Sequence, residues 1–448
     1  MRNRAQEAKP APFVGLVIFW FGMEYLRPQD YIGIIGVLRP GLILLVIMAL
    51  VWLLRAEKSA LKDNLIIGYI VFLALGLLSV PFARNNYWAL MPNVYMTAAL
   101  VGGVLPVIAF INRPDALRRL FWWWVLFHAI VAVVGILNGG RGSGSFMGDE
   151  NDLALTLAMA MPFAYFLATL DKRARMKAFF IIAGLLLVAG IVATRSRGGF
   201  LGMMMATVGI ILFSRNRVRN LVGVAILAAA AAFVLMQSGL TDPPGRDRDD
   251  PRYRQRHEQS YWDEMRSIQD ATDATRRSRL YLWGRAWEMF LDNPLFGVGT
   301  SNFPWRVQDY EVRDPNFVGD VRFSGGRVAH TLYFTFLAEY GLVGSTVWVL
   351  LAIGIVTRLR KARQRLEGLE TDDAKLLMAL ARACSAGLLA FLVSGAFLTV
   401  NYYPHFWYLI GFAIAIDRTA AALQPVTEAG RAFRGRRVRQ NSSRPSPA

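Results

Sequence analysis

Cysteine is nearly absent. The 448-residue chain has one, Cys384, and it sits inside an apolar run. That excludes a disulfide framework and any cysteine-based metal cluster. Histidine is almost as scarce: His128, His257, His330 and His405 show no metal-ligand spacing of the HxxxH kind. Lysine occurs seven times, at 9, 58, 62, 172, 177, 361 and 375. Charged residues make up 18% of the chain and apolar ones 54%. With so many long uninterrupted apolar runs, that balance excludes an ordinary soluble domain.

Those runs are long enough to cross a hydrocarbon core of about 30 Å. Twelve candidate spans fall near 13–26, 36–54, 65–82, 93–111, 119–137, 152–170, 178–194, 199–213, 220–237, 331–357, 376–399 and 403–417. The eighth is short and predicts a broken or tilted span. The start, MRNRAQEAK before an apolar stretch without a small-x-small cleavage site, reads as an uncleaved first span. The expected fold is an all-α polytopic membrane protein with about twelve transmembrane helices. Residues 1–237 would form the first nine spans, 238–330 a large, partly helical outward loop, and 331–417 the last three. Residues 418–448 form a basic, Ser/Pro-rich tail, expected to be disordered.

The formal charge of +18 and its location give the orientation. Twelve spans put both termini on one side, with 55–64, 112–118, 171–177, 214–219 and 358–375; this group contains all seven lysines. The alternate loops are 27–35, 83–92, 138–151, 195–198, 238–330 and 400–402. The largest carries 14 arginines against 15 acids and is nearly neutral. Positive charge gathers on the cytoplasmic side of bacterial membrane proteins, so both termini are expected there. The excess charge is therefore topological, and nucleic acid is not an expected partner.

The outward side holds four stretches with chemical potential. In TRSRGGF, 194–200, Arg195 and Arg197 end an apolar run where positive charge is otherwise scarce. They either snorkel to lipid headgroups or seat a phosphate, with Gly198 and Gly199 leaving helix-start amides open. In RVAHTLYFTFLAEYG, 327–341, His330 caps a span or does acid–base work, since its ordinary pKa lies near operating pH. Glu339, more than two turns deeper, braces the bundle or serves a site. In 276–303, Leu280, Trp283, Trp287 and Phe290 recur at helical spacing and predict one apolar stripe ended by Asn293-Pro294. Arg279 lies one turn before Trp283, with Arg276 and Arg285 aimed differently, and either stacks on tryptophan or meets a ligand. In GSFMGDENDLAL, Asn151 and Asp152 cap a helix or face sugar hydroxyls, capping being favoured for Asn151.

In order, GDENDLAL, SRGGFL, R-x-x-x-W, NPLFGVGTSNF and AHTLYFTFLAEYGLVG resemble the O-antigen ligase and polymerase superfamily over about residues 144–344. The resemblance implies a GT-C-like fold in the bacterial inner membrane and a glycan donor on undecaprenyl pyrophosphate. The acceptor would be lipid A-core, for a ligase, or another lipid-linked glycan, for a polymerase. The reaction would be inverting and metal-independent, with no cofactor. By motif, His330 would assist the acceptor hydroxyl, while Arg197 and Arg279 would engage the pyrophosphate, with Arg195 beside them. Glu339, Asn151 and Asp152 would be supporting residues. Thr331 stands where relatives often carry Asn or Ser. A transporter of lipid-linked cargo is the rival reading, but transporters concentrate ionisable residues near the midplane and show repeated halves; here the charges gather at one surface.

Overall fold

A computed structural model describes residues 13–143, 147–214, 223, 274–315, 317 and 325–424. The ninth expected span apart from Gly223, the first third of the large loop and residues 425–448 lie outside the described residues. What is described is helical, with no strand among the described residues. The helices relevant here are α1 (Val14–Leu26), α2 (Pro40–Arg55), α3 (Asn64–Ser79), α4 (Asn86–Ala99), α5 (Pro114–Leu137), α6 (Glu150–Leu170) and α7 (Ala174–Ala193). They continue as α8 (Arg197–Phe213), α9 (Ala274–Asp292), α10 (Phe303–Glu311), α11 (Leu332–Leu366), α12 (Asp372–Gly395) and α13 (Pro404–Leu423). Eight helices among the described residues are long and apolar enough to cross a membrane; α2 and α8 are shorter apolar helices. The protein is an all-α polytopic membrane protein. Several boundaries move: α4 starts at Asn86 rather than 93, α5 at Pro114 rather than 119 and α8 at Arg197 rather than 199; α11 runs past 357 to Leu366, α12 spans Asp372–Gly395 rather than 376–399, and α13 runs past 417 to Leu423.

α6 is the centre of the bundle. From Leu153 to Ala164 every residue is buried, against α7, α8 and α12. Its repeated alanines, with Thr156, let neighbours approach closely, which is how helices gain dispersion contacts where lipid supplies no hydrophobic drive. α8 uses the same device. A Cβ on Gly199 would lie 2.1 Å from Ala154 Cβ, and one on Gly202 2.0 Å from Ser394 Oγ. Gly199 of SRGG, and Gly202 one turn on, are therefore packing residues as well.

The two ends of the bundle differ in chemistry. At one end lie the lysine-bearing connections, cross-linked by ion pairs. Arg358 holds Asp63 at 2.9 Å and Asp417 at 3.5 Å, and Lys172 reaches Asp372 at 3.3 Å. At the other end meet the α5–α6, α7–α8 and α12–α13 connections and the segment between α9 and α11. That segment docks on a break in α11. Gly341, at φ 60°, interrupts the helix, and the backbone groups it releases pair with the GVG and NPL residues. Val298 and Gly299 donate to the carbonyls of Ala338 and Glu339, at 2.8 and 3.0 Å, and Leu342 and Val343 donate to Pro294 and Leu295, at 2.7 and 3.1 Å. A β-carbon at Gly341 would sit 2.5 Å from the Leu295 backbone, so glycine is required twice over, for φ and for space.

α9 ends at Asp292, as Asn293-Pro294 predicts, but its buried face is not the expected stripe. Leu282, Ala286 and Met289 are buried against Phe303, Val307 and Ala338. Leu280 and Trp287 are exposed. Large apolar side chains dominate the sequence pattern, whereas close approach to α10 and α11 selects the smaller Ala286.

Candidate active site

The SRGG turn is joined to the GDEND helix start. Ser196 is the N-cap of α8, its hydroxyl accepting from the Gly199 amide at 2.9 Å. The same hydroxyl donates to Asn151 Oδ1 at 2.6 Å. Asp149, not Asn151, caps α6, accepting from the Asn151 amide and from Asn151 Nδ2, both at 2.8 Å. Asn151 is thus a bridge between two helix starts, which corrects its expected role as a cap. Beside it, Glu150 accepts from Arg141 at 3.0 Å, and Asp152 accepts from the Tyr403 hydroxyl. Burial and the Asp152 carboxylate hold Tyr403 well above the usual phenol pKa, so it remains a donor. Arg195 and Arg197 flank Ser196, both half-buried.

His330 reaches the same end from another direction. Trp283 of α9 donates its indole N–H to the Ala329 carbonyl at 2.9 Å and stacks on Phe334 with ring centroids 5.5 Å apart. These contacts pin the backbone on both sides of His330. Arg279 lies one helical turn before Trp283, and its charge acts on the His330 ring. Burial first, then Arg279, lower the His330 pKa below the ordinary 6.5, while Asp149 opposes them. Asp149 is the α6 cap already bonded to Asn151. His330, Arg279 and the GDEND start therefore lie within electrostatic reach of one another, and hydrogen bonds continue from there to Ser196 between the two arginines.

Backbone strain marks the same place. Of the six described non-glycine residues with positive φ, Arg195 at 51°, Ser301 at 53° and His330 at 51° lie in the connections that build this site, and Arg27 and Arg39 lie in the α1–α2 connection at the same end. Such conformations cost about 1–3 kcal/mol each and persist where the surroundings over-determine them, a pattern concentrated at functional sites.

Glu339 is placed differently. Its Oε2 accepts from the Ser301 amide at 2.9 Å and from the Tyr402 hydroxyl, and its Oε1 accepts from the Phe303 amide at 3.1 Å. It caps α10 and ties the GTSNF turn to the bundle, so bracing is its role. Thr300 and Asn302 complete the dock: the Thr300 amide donates to Ser79 Oγ at 3.1 Å, and the Asn85 amide donates to Asn302 Oδ1 at 2.9 Å. Arg285 points elsewhere, paired with Glu288 at 2.7 Å and Asp314 at 3.2 Å; Arg276 is exposed. The site residues that sequence patterns did not single out are Ser196, Tyr402 and Tyr403. The two tyrosines sit in a connection of a few residues, NYYP, with no spacing to distinguish them.

What the geometry defines is a membrane-embedded helical protein that gathers arginines, a histidine and a carboxylate at one end of its bundle. Residues 182–349 match the family model described as O-antigen ligase. That segment carries Arg195, Arg197, Arg279, His330 and Glu339, and its similarity to the O-antigen ligase family supports an enzyme of the O-antigen ligase or polymerase type. No curated protein matches the chain.

Proposed function

We propose that the protein is an O-antigen ligase-type glycosyltransferase. It moves a glycan from undecaprenyl pyrophosphate to an acceptor hydroxyl, on lipid A-core or a similar molecule, at the periplasmic face of the inner membrane. The observation that carries this reading is the electrostatic coupling of His330 to Arg279 and to the Asp149 cap, within hydrogen-bonded reach of the SRGG turn.

The acceptor oxygen forms a bond to the anomeric carbon while the bond from that carbon to the pyrophosphate oxygen breaks, inverting the centre. The proton of the acceptor goes to His330, which its lowered pKa keeps neutral near pH 7. Negative charge develops on the departing diphosphate, where Arg197 and Arg279 stabilise it. Guanidinium forks match phosphate oxygens bidentately and need no reorganisation during reaction. Arg195, in its left-handed backbone, adds charge beside Arg197. Asn151, Asp152 and Glu339 hold the elements that present these groups.

Lipopolysaccharide from a deletion strain, resolved by gel, tests the reading. Loss of the whole capped ladder, restored by the wild-type chain, is the ligase result. Capping by a single repeat indicates polymerase action by the same site. A normal ladder with unchanged polysaccharides refutes both, and uptake or flipping of lipid-linked glycan without transfer would make the protein a transporter.

A further inference from the structure

The opposite end of the bundle contains a crevice unrelated to the proposed chemistry. It lies where the start of α5, the end of α6, the start of α7 and the start of α12 converge, with a volume of about 410 Å³. α6 separates it from the candidate active site by its full length of 21 residues, roughly 30 Å at 1.5 Å per residue.

We propose that this crevice binds the phosphate headgroup of an anionic phospholipid, with an acyl chain on its apolar floor. Four cations line it, Arg118, Arg119, Lys172 and Arg173, against two acids, Asp171 and Asp372. Arg173 is paired with Asp171 at 2.9 Å, and Arg119 turns to Asp115 at 3.2 Å. Lys172 meets Asp372 at 3.3 Å with both side chains mostly in the open, a pair of little strength. Arg118 makes no hydrogen bond or ion pair among the described residues, though its charge helps hold the Asp171 carboxyl below its usual range. The lining therefore carries net positive charge with one guanidinium uncommitted.

The floor selects a lipid over a soluble anion. Leu167, Phe180 and Leu376 are buried beneath the cations. Trp122 and Trp123 form the wall, with Trp122 stacked on Phe179 at 5.1 Å and Trp123 39% exposed. Indoles concentrate where headgroups meet hydrocarbon, and basic pockets between helices on the cytoplasmic side suit anionic headgroups. A free phosphate would use the cations and leave the apolar floor unfilled.

The test is native mass spectrometry of the full chain released from nanodiscs of mixed phosphatidylglycerol and phosphatidylcholine. The expected result is selective retention of phosphatidylglycerol that excess inorganic phosphate does not displace. Arg118→Ala with Lys172→Ala should lower retention on the order of thirtyfold, from about 1 kcal/mol per basic residue near a charged surface. Arg360→Ala with Lys361→Ala, cations at the same end but outside the crevice, should leave it unchanged. Equal retention of the two lipids, equal loss in both paired variants, or wild-type retention in the first would overturn the proposal. Displacement by inorganic phosphate would assign the cations to a soluble anion and overturn it also.

Discussion

Trp283 and Ala329 are joined by a 2.9 Å hydrogen bond from indole N–H to backbone carbonyl, one residue before His330. The R-x-x-x-W spacing thereby acquires a physical meaning: the tryptophan fixes α9 to the histidine's backbone, and the arginine one turn earlier is carried to its ring. Trp283→Phe keeps an aromatic ring against Phe334 but removes the donor. A hydrogen bond of this kind contributes about 0.5–1.5 kcal/mol to stability, so the melting temperature should fall modestly, and loss of the same energy in positioning should lower kcat/KM roughly three- to tenfold. An unchanged kcat/KM would separate Trp283 from His330 positioning.

The pH profile of transfer should carry the signature of His330. Its pKa is lowered below 6.5 by burial and Arg279 and raised by Asp149. As a base it works when neutral, so activity should fall as pH drops through that lowered value. Arg279→Ala removes a lowering cause and should move the acid limb upward; Asp149→Asn removes the raising cause and should move it downward. Opposite displacements of the two limbs are the expected outcome, and shifts in the same direction would refute the coupling. The stability term has the same sign: it is present above the unfolded value near 6.5 and is lost as pH falls through the folded one.

The packing of α8 against α6 predicts a compensating pair. Gly199→Ala places a methyl 2.1 Å from Ala154 Cβ, an overlap that must displace a helix. Overpacking of this kind costs typically about 1–3 kcal/mol, so thermal stability of the purified protein should fall. Ala154→Gly in the same chain should restore most of it. Failure of the second change to rescue the first would show that SRGG needs its glycines for another reason.

Glu339 predicts a stability effect with no specific catalytic signature. Its carboxylate accepts from two amides and the Tyr402 hydroxyl, and bonds to charged acceptors contribute about 1.5–3 kcal/mol each. Glu339→Gln replaces one acceptor oxygen by a donor facing a donor and should lower the melting temperature by several degrees. Tyr402→Phe should lower it less. The pH profile of residual activity should keep its wild-type shape in both.

Much of this was legible in the sequence because membranes write strong patterns. Uninterrupted apolar length marks the helices, and the segregation of lysine marks the two ends. The motifs around Arg197, Arg279 and His330 could be read because each pairs a charged residue with a glycine, tryptophan or helix start. Two features were not legible. The buried face of α9 runs through Leu282, Ala286 and Met289 because it follows the shape of α10 and α11, to which hydropathy is blind. The bridge from Asn151 to Ser196 spans 45 residues, and no local pattern marks a contact between two helix starts that only the folded bundle brings together.

The central claim is tested most directly by glycan transfer with Arg197→Ala and His330→Ala in cells lacking their own copy, with membrane insertion of each variant verified. Removing a positioned acid–base group costs roughly 100- to 10,000-fold, so His330→Ala should reduce transfer on that scale. Arg197→Ala should reduce it comparably by leaving the departing diphosphate unneutralised. Full transfer by either properly inserted variant would contradict the account.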